Sequence, residues 1–237
     1  MSITDNLKNI QDRINAAAER AGRNPSEIRL VTVSKTYPLP RIIEAMNAGT
    51  LTFGESKVQE AKEKIEELQG QRGKGAEAQS NVEWHLIGNL QKNKAKHAVQ
   101  LFDLIHTVDT ISLAEELNRQ AEKIQKVQRI LIQVKLSDEE TKSGVQEENL
   151  VPMLKAVSAM KNLKIEGLMT MPPFYDDPEH ARPYFGHLKF MADNAAAMGF
   201  PMKELSMGMS GDFEQAIEEG ATLVRVGTAI FGERDYL

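Results

Sequence analysis

The chain has 237 residues, 41% apolar and 27% charged, with a formal net charge of -5 and no cysteine. That length supports one large domain or two small ones around a core that needs no staples. The missing thiols exclude disulfide frameworks, thiolate zinc sites and a cysteine nucleophile, and the mildly acidic balance argues against general nucleic-acid binding.

The start, MSITDNLKN, is polar and carries Asp5, so it is no secretory signal, and the cytoplasm is the expected location. No apolar stretch approaches the length of a membrane span. A helix is expected from Asp5 to Ala21, capped by Thr4 or Asp5, within an N-terminal region of residues 1–28. The first candidate strand is Arg29 to Ser34 (RLVTVS), followed by a short helix from Leu39 to Ala48 near Pro40. Leu51 to Phe53 is the second strand, and Val58 to Leu68 a charged, periodic helix. Gln69 to Asn81 is Gly-rich and polar and reads as a mobile surface loop. Strand Glu83 to Ile87, a basic helix from Gln91 to Gln100 and strand Leu104 to Val108 follow. The helix from Ile111 to Lys126 sets Leu113, Leu117, Ala121 and Ile124 on one face. Strand Arg129 to Val134 leads to helix Glu147 to Met160, and strand Ile165 to Thr170 to helix Glu179 to Met198. Strand Lys203 to Met207, helix Asp212 to Glu219, strand Leu223 to Val226 and a stub after Gly227 complete the order.

Eight short, buried-looking strands alternating with helices predict a parallel α/β fold in a single domain of residues 1–237. An eight-stranded (β/α)8 barrel is the closest count, with a doubly wound open sheet as the alternative. In such a barrel the site sits at the C-terminal ends of the strands. Lys35 directly follows the run LVTVS and would project into the mouth, where partial desolvation frees an amine to attack carbonyls. The plainer reading is a solvated lysine at a strand end. Gly208 and Gly211 flank Ser210 before one helix, and Gly227 and Thr228 precede another. Glycines allow close backbone approach and helix starts offer N–H donors, so these two turns fit a phosphate, or else are only tight turns. Arg225 lies inside an apolar strand and needs a partner, either a buried carboxylate such as Glu55 or a ligand. His85 and His106 sit in strands, where a satisfied core or rim histidine is the commoner outcome. Met169, Met171, Met207 and Met209 read as packing or as the apolar wall of a pocket, and QKNKAKH (91–97) as a charged helix face. No cluster has metal-ligand spacing, so no metal is expected, and GxSxG, GxGxxG and P-loop patterns are absent.

The segments VTVSKTYP, GESKVQEAKEK, EWHLIGNLQKNK, LIHTVD, GLMTMPP, LSMGMSGDFEQAI and TLVRVGTAIFG, in this order from Leu30 to Gly232, resemble the pyridoxal phosphate homeostasis protein family (YggS/PROSC). The resemblance implies a TIM barrel like the N-terminal domain of alanine racemase (the type III fold of pyridoxal phosphate, PLP, proteins). It implies PLP bound to Lys35 as a Schiff base, with Arg225 facing the pyridine nitrogen and Gly227 and Thr228 at the phosphate. Ser206, Gly208 and Ser210 would line the cofactor, and His85 and Ser56 complete the expected cofactor-binding set. The family commonly reads GENYVQE where this chain has Gly54-Glu55-Ser56-Lys57-Val58-Gln59-Glu60. A fixed cation at the ring nitrogen disfavours its protonation and makes the ring a poorer electron sink.

The resemblance thus points to intracellular PLP (vitamin B6) and amino-acid homeostasis without catalytic turnover. PLP would pass from an open barrel mouth to apo PLP-dependent enzymes. A PLP-dependent racemase is the alternative, but two-base racemisation needs groups on both faces of the substrate. The family's racemase relatives use a further domain and a tyrosine for this. The chain is expected to end without room for that domain, and Tyr37, Tyr175, Tyr184 and Tyr236 sit in no racemase motif. A class I aldolase using Lys35 and a sugar phosphate is a third possibility. A monomer is expected, since no helix face reads as exposed and apolar.

Overall fold

The structure is a computed structural model that describes residues 2–71, 82–137 and 143–233. Eight parallel strands close into a barrel in chain order: β1 (Arg29–Val33), β2 (Thr52–Glu55), β3 (Glu83–Leu86), β4 (Leu104–Val108), β5 (Gln128–Gln133), β6 (Leu163–Met169), β7 (Glu204–Ser206) and β8 (Leu223–Val226). β1 pairs with β8, with Val31 opposite Arg225 and Thr32 opposite Val226, which closes the sheet. The open-sheet alternative is thereby excluded.

Successive strand residues point to opposite faces. Val31 and Val33 of β1 join Ile87, Leu104, Leu131, Met169 and Leu223 in a cluster inside the barrel. The intervening positions, such as Phe53, Trp84, Leu86, Ile105 and Val224, pack outward against the helices in the larger core. Nine α-helices among the described residues provide that layer: α1 (Ile3–Arg20), α2 (Leu39–Asn47), α3 (Val58–Gln71), α4 (Ala95–Leu101), α5 (Ile111–Lys123), α6 (Glu147–Ser158), α7 (Arg182–Ala197), α8 (Phe213–Glu218) and α9 (Thr228–Phe231).

α1 buries Ile3, Leu7, Ile10, Ile14 and Ala17 against α2, α8 and α9, and so covers the seam between the first and last strands. Complete burial of Ile10 and Ile14 stabilises this packing by about 2 kcal/mol each. Its cap is Ser2, not Thr4 or Asp5 as expected. The Ser2 hydroxyl accepts from Asp5 N–H while the Asp5 carboxylate accepts from Ser2 N–H, so Asp5 serves the cap from within the first turn.

Other differences lie at element ends. β2 runs on through Gly54 and Glu55 because β3 pairs with it as far as Leu86. The basic segment after β3 begins as a 3-10 turn, Lys92–Lys94, before α4, and α7 is likewise preceded by a turn at Pro178–Ala181. The expected Gln69–Asn81 loop starts inside α3, and its remainder lies outside the described residues. At the N-terminal rim Arg29 bridges Glu204 at 2.7 Å and Glu83 at 3.6 Å, while Arg129 bridges Glu83 at 3.0 Å and Glu166 at 2.9 Å. No helix of the described residues is long and apolar enough to cross a membrane.

Candidate functional site

A cavity of about 360 Å³ opens at the C-terminal ends of the strands. Lys35 and Val33 line it from the end of β1, Ser56 from beyond β2, and Ile87 and Gly88 from beyond β3. Met171, Phe174 and Tyr175 follow β6, Met209 to Asp212 follow β7, and β8 contributes Arg225 with Gly227 and Thr228 beyond it. Six of the expected residues therefore meet at one cavity: Lys35, Ser56, Ser210, Arg225, Gly227 and Thr228. Ser206, Gly208 and His85 do not line it. Ser206 lies buried beside Arg225, Gly208 turns the chain behind the wall, and His85 sits deep in the barrel interior.

Lys35 continues the inward parity of Val31 and Val33, which places it at the mouth. The turn that carries it is strained and braced. Thr36 has φ 70°, a region that a β-branched residue rarely adopts. Its N–H donates to Glu60 at 2.5 Å, and Glu60 is held by Lys64 at 2.7 Å. Lys64 also donates to the Ser34 carbonyl at 2.8 Å and to Glu55 at 2.7 Å, while the Ser34 hydroxyl donates to Glu55 at 2.7 Å. Glu55 is therefore not the partner of Arg225 that the sequence offered. It follows Phe53 on the outward parity of β2, toward α3, and meets Lys64 there. Burial pushes the Glu55 carboxyl up, against the pull of Lys64. This brace went unread in the sequence, although the Glu60–Lys64 spacing of four on a helix was its signal.

Arg225 is buried in the cavity floor. It donates to Ser206 Oγ at 2.5 Å and to the Thr170 carbonyl at 3.0 Å. Burial pushes its guanidinium down to about 10, which leaves it a cation at neutral pH. Just beyond β8 the Gly227 N–H and the Thr228 hydroxyl both donate to Ser210 Oγ at 3.3 Å. A Cβ on Gly227 would come to 3.2 Å from the Val33 carbonyl oxygen, so the turn hugs β1. Helical geometry leaves the N–H groups of Thr228 and Ala229 without an intrahelical acceptor, and these donors suit an anion. Gly208 adopts φ 86°, and a Cβ there would lie 2.5 Å from Ala216 Cβ. It is thus a packing and turn residue whose carbonyl accepts from Arg225 N–H. Asp212 accepts from Met209 N–H at 2.6 Å and closes the turn after β7, and burial raises its carboxyl.

The remaining wall is apolar: Met171, Met209 and Ile87, with Phe174 83% exposed at the lip. Met169 and Met207 are packed away from it. Phe174 and Tyr175 were not singled out in the sequence, because nothing in PPFYDD fixes how that segment folds over the strand ends. The site thus joins an amine, an anion-binding turn and a floor cation around a flat apolar slot. That set fits PLP, which offers a carbonyl, a phosphate and a ring nitrogen.

Comparison with known proteins gives the same direction. The alanine racemase N-terminal domain family matches residues 6–235. A pyridoxal phosphate homeostasis protein of Aquifex aeolicus is 43% identical over 237 residues, covering 100% of each chain. Its namesake in Escherichia coli K12 is 42% identical, covering 99% of this chain and 97% of its own. The solved structure of PipY from Synechococcus elongatus, with PLP bound, matches with a TM-score of 0.82 at 36% identity, over 98% of this chain and 100% of that one.

Proposed function

The chain belongs to the pyridoxal phosphate homeostasis protein family, built on the alanine racemase N-terminal domain, and from this premise we propose that Lys35 holds PLP reversibly in the cavity for exchange with apo PLP-dependent enzymes, without turnover of a substrate. The protein binds PLP and acts in PLP homeostasis. The observation that carries the residue assignment is the convergence of Lys35, Arg225 and the Ser210–Thr228 turn on one cavity.

Each of these residues has a distinct task. The Lys35 ε-amine would hold PLP through its carbonyl, and Thr228 with the N–H groups of its turn would hold the phosphate. Arg225 would supply a cation toward the ring nitrogen, which disfavours protonation there. When bound, PLP supplies a carbonyl that condenses with amines and an electron sink whose strength depends on ring protonation. The apolar wall of Ile87, Met171 and Met209 would give the ring an apolar surface to lie against.

The absence of turnover is supported by the state of the other ionisable groups in the lining. Besides Lys35 these are Tyr175, Asp212 and Arg225. The Tyr175 hydroxyl pairs with that of Tyr184 at 2.9 Å, Asp212 is held by its own turn, and Arg225 is anchored in the floor. Each of the three is thus engaged with a protein partner, whereas racemisation needs a second acid–base group acting on the face opposite Lys35.

The test is the visible absorption spectrum of purified wild type and Lys35→Ala, before and after borohydride. A wild-type band bleached by borohydride, and absent from the variant, is expected. Transfer of PLP to an apo-enzyme and exchange of amino-acid α-protons in deuterated water are then measured together. Transfer without proton exchange is the expected pattern. A wild type that stays colourless with added PLP would sink the assignment of Lys35 and favour a class I aldolase.

A further inference from the structure

A file of buried polar side chains crosses the barrel interior from the cavity floor to the opposite rim. At the cavity end Arg225 Nη1 donates to Ser206 Oγ at 2.5 Å. Ser206 Oγ lies 2.9 Å from His106 Nδ1, and His106 Nε2 lies 3.0 Å from His85 Nδ1. His85 Nε2 then lies 3.4 Å from Glu83 Oε2. Ser206, His106 and His85 are wholly buried, and come from β7, β4 and β3. Four strands thus give up inward apolar positions to build one continuous path.

The direction of the path follows from its far end. Glu83 sits between Arg129 at 3.0 Å and Arg29 at 3.6 Å, so it is an anion and can only accept. His85 must therefore donate from Nε2. Burial disfavours a charged imidazole and lowers both histidines, His106 the more strongly. A neutral His85 with its proton on Nε2 accepts at Nδ1. His106 then donates from Nε2 and accepts at Nδ1, which leaves the Ser206 hydroxyl as donor to His106 and acceptor from Arg225. Every hydrogen bond points from the floor cation to the rim anion. The reverse order would set a lone pair of His85 against the Glu83 carboxylate.

We propose that Ser206, His106, His85 and Glu83 form a positioning chain that fixes the Arg225 guanidinium in the cavity floor and ties its polarity to a carboxylate at the other end of the barrel. The proposal rests on the reading of the cavity as the PLP pocket, and it assigns the chain the electronic setting of the bound ring. Hydrogen bonds in series polarise one another in a dry interior, so a break at any link weakens the rest. With one edge committed to Ser206 and Thr170, the guanidinium presents its remaining donors to the cavity.

Two measurements on the PLP-loaded protein test this. Nitrogen-15 NMR of labelled histidine should find both imidazoles neutral at neutral pH with the proton on Nε2. A doubly protonated ring, or a proton on Nδ1 of either residue, overturns the chain. Second, Ser206→Ala should shift the visible band of bound PLP and speed its release roughly tenfold, the effect of losing one charged hydrogen bond. Glu83→Gln, remote from the pocket, should shift the band in the same direction by less. Glu204→Gln loosens the same rim by removing a partner of Arg29 but stands outside the chain, so it should leave band and release unchanged. Wild-type spectra in both Ser206→Ala and Glu83→Gln, or an equal shift in Glu204→Gln, overturn the proposal. Should Ser206→Ala not fold, the tautomers and the Glu83→Gln and Glu204→Gln pair still decide it. A wild type that takes up no PLP fails the pocket reading instead, and the tautomers stay measurable without it.

Discussion

Replacing Lys64 with methionine should harm the protein far more than its place on an outer helix implies. Lys64 is 8% exposed, and its ammonium spends all three protons on Glu55, Glu60 and the Ser34 carbonyl. Glu55 is wholly buried. Removing the cation strands that carboxylate, which costs roughly 3–5 kcal/mol. In a domain of this size each 1 kcal/mol lowers the melting temperature by roughly 2–4 °C, so the fall is on the order of 10 °C. Glu55→Gln alone leaves Lys64 with two acceptors and should cost only about 1–2 kcal/mol. The double variant Glu55→Gln/Lys64→Met should regain part of the loss, because no charge is left buried. Thermal unfolding of the three variants closes the double-mutant cycle. The same variants probe the site. Without Lys64, Glu60 no longer pins the Thr36 N–H, the strained turn relaxes by roughly 1–3 kcal/mol, and the dissociation constant for PLP rises. A Lys64→Met protein that melts within about 2 °C of wild type would refute the reasoning, because Glu55 would then be neutral in the fold.

Gly208→Ala forces a Cβ against Ala216 and Phe213 at a positive φ, and should destabilise by more than about 2 kcal/mol in urea unfolding; a neutral result would mean that α8 is not seated as described. Glu83 titrates in the fold at about 2, held down by the His85 hydrogen bond and then the Arg129 guanidinium, against an ordinary 4.5. A lowered carboxyl stabilises above about pH 4.5, and that stabilisation drains away as the pH falls toward 2. With 36% of the side chain exposed, solvent screening reduces the effect to about 1 kcal/mol. The melting-temperature gap between wild type and Glu83→Gln should therefore shrink between about pH 6 and about pH 3, and a constant gap contradicts the pairing. Phe174→Ser at the exposed lip should leave stability within about 0.5 kcal/mol while PLP release quickens, and a large drop in melting temperature would show Phe174 to be part of the core.

The strands were legible because most are short apolar runs bounded by glycine or charge, and β4 and β8 match the sequence reading at both ends. The C-terminal end of β2 was read short because Gly54 and Glu55 have poor strand propensity, and pairing with β1 and β3 extends it. The count of eight strands pointed to a closed barrel and the resemblance implied one, but the register between β1 and β8 that closes it was not legible. At the site, Lys35 and the two glycine turns stood out because a parallel barrel presents strand ends. The sequence left the partner of Arg225 open between Glu55 and a ligand, because a strand read as LTF gives no parity for Glu55. The contact between His85 and His106 was invisible for another reason: each residue alone looks like an ordinary core histidine, and only the barrel brings β3 and β4 side by side.

The pairing of β1 with β8 also bears on biogenesis. Lys35 emerges well before Arg225 and the Thr228 turn, which belong to β8 and α9, much further along the chain. On the proposed assignment of Lys35, Arg225 and the Thr228 turn, no partial barrel offers all three to PLP together, so uptake of PLP would report that the seam has shut. A ligand that binds only the shut form, at a hundredfold excess over its dissociation constant, adds roughly 2.7 kcal/mol to that form. The concentration of PLP would then bear on how long a newly made chain spends open to proteolysis.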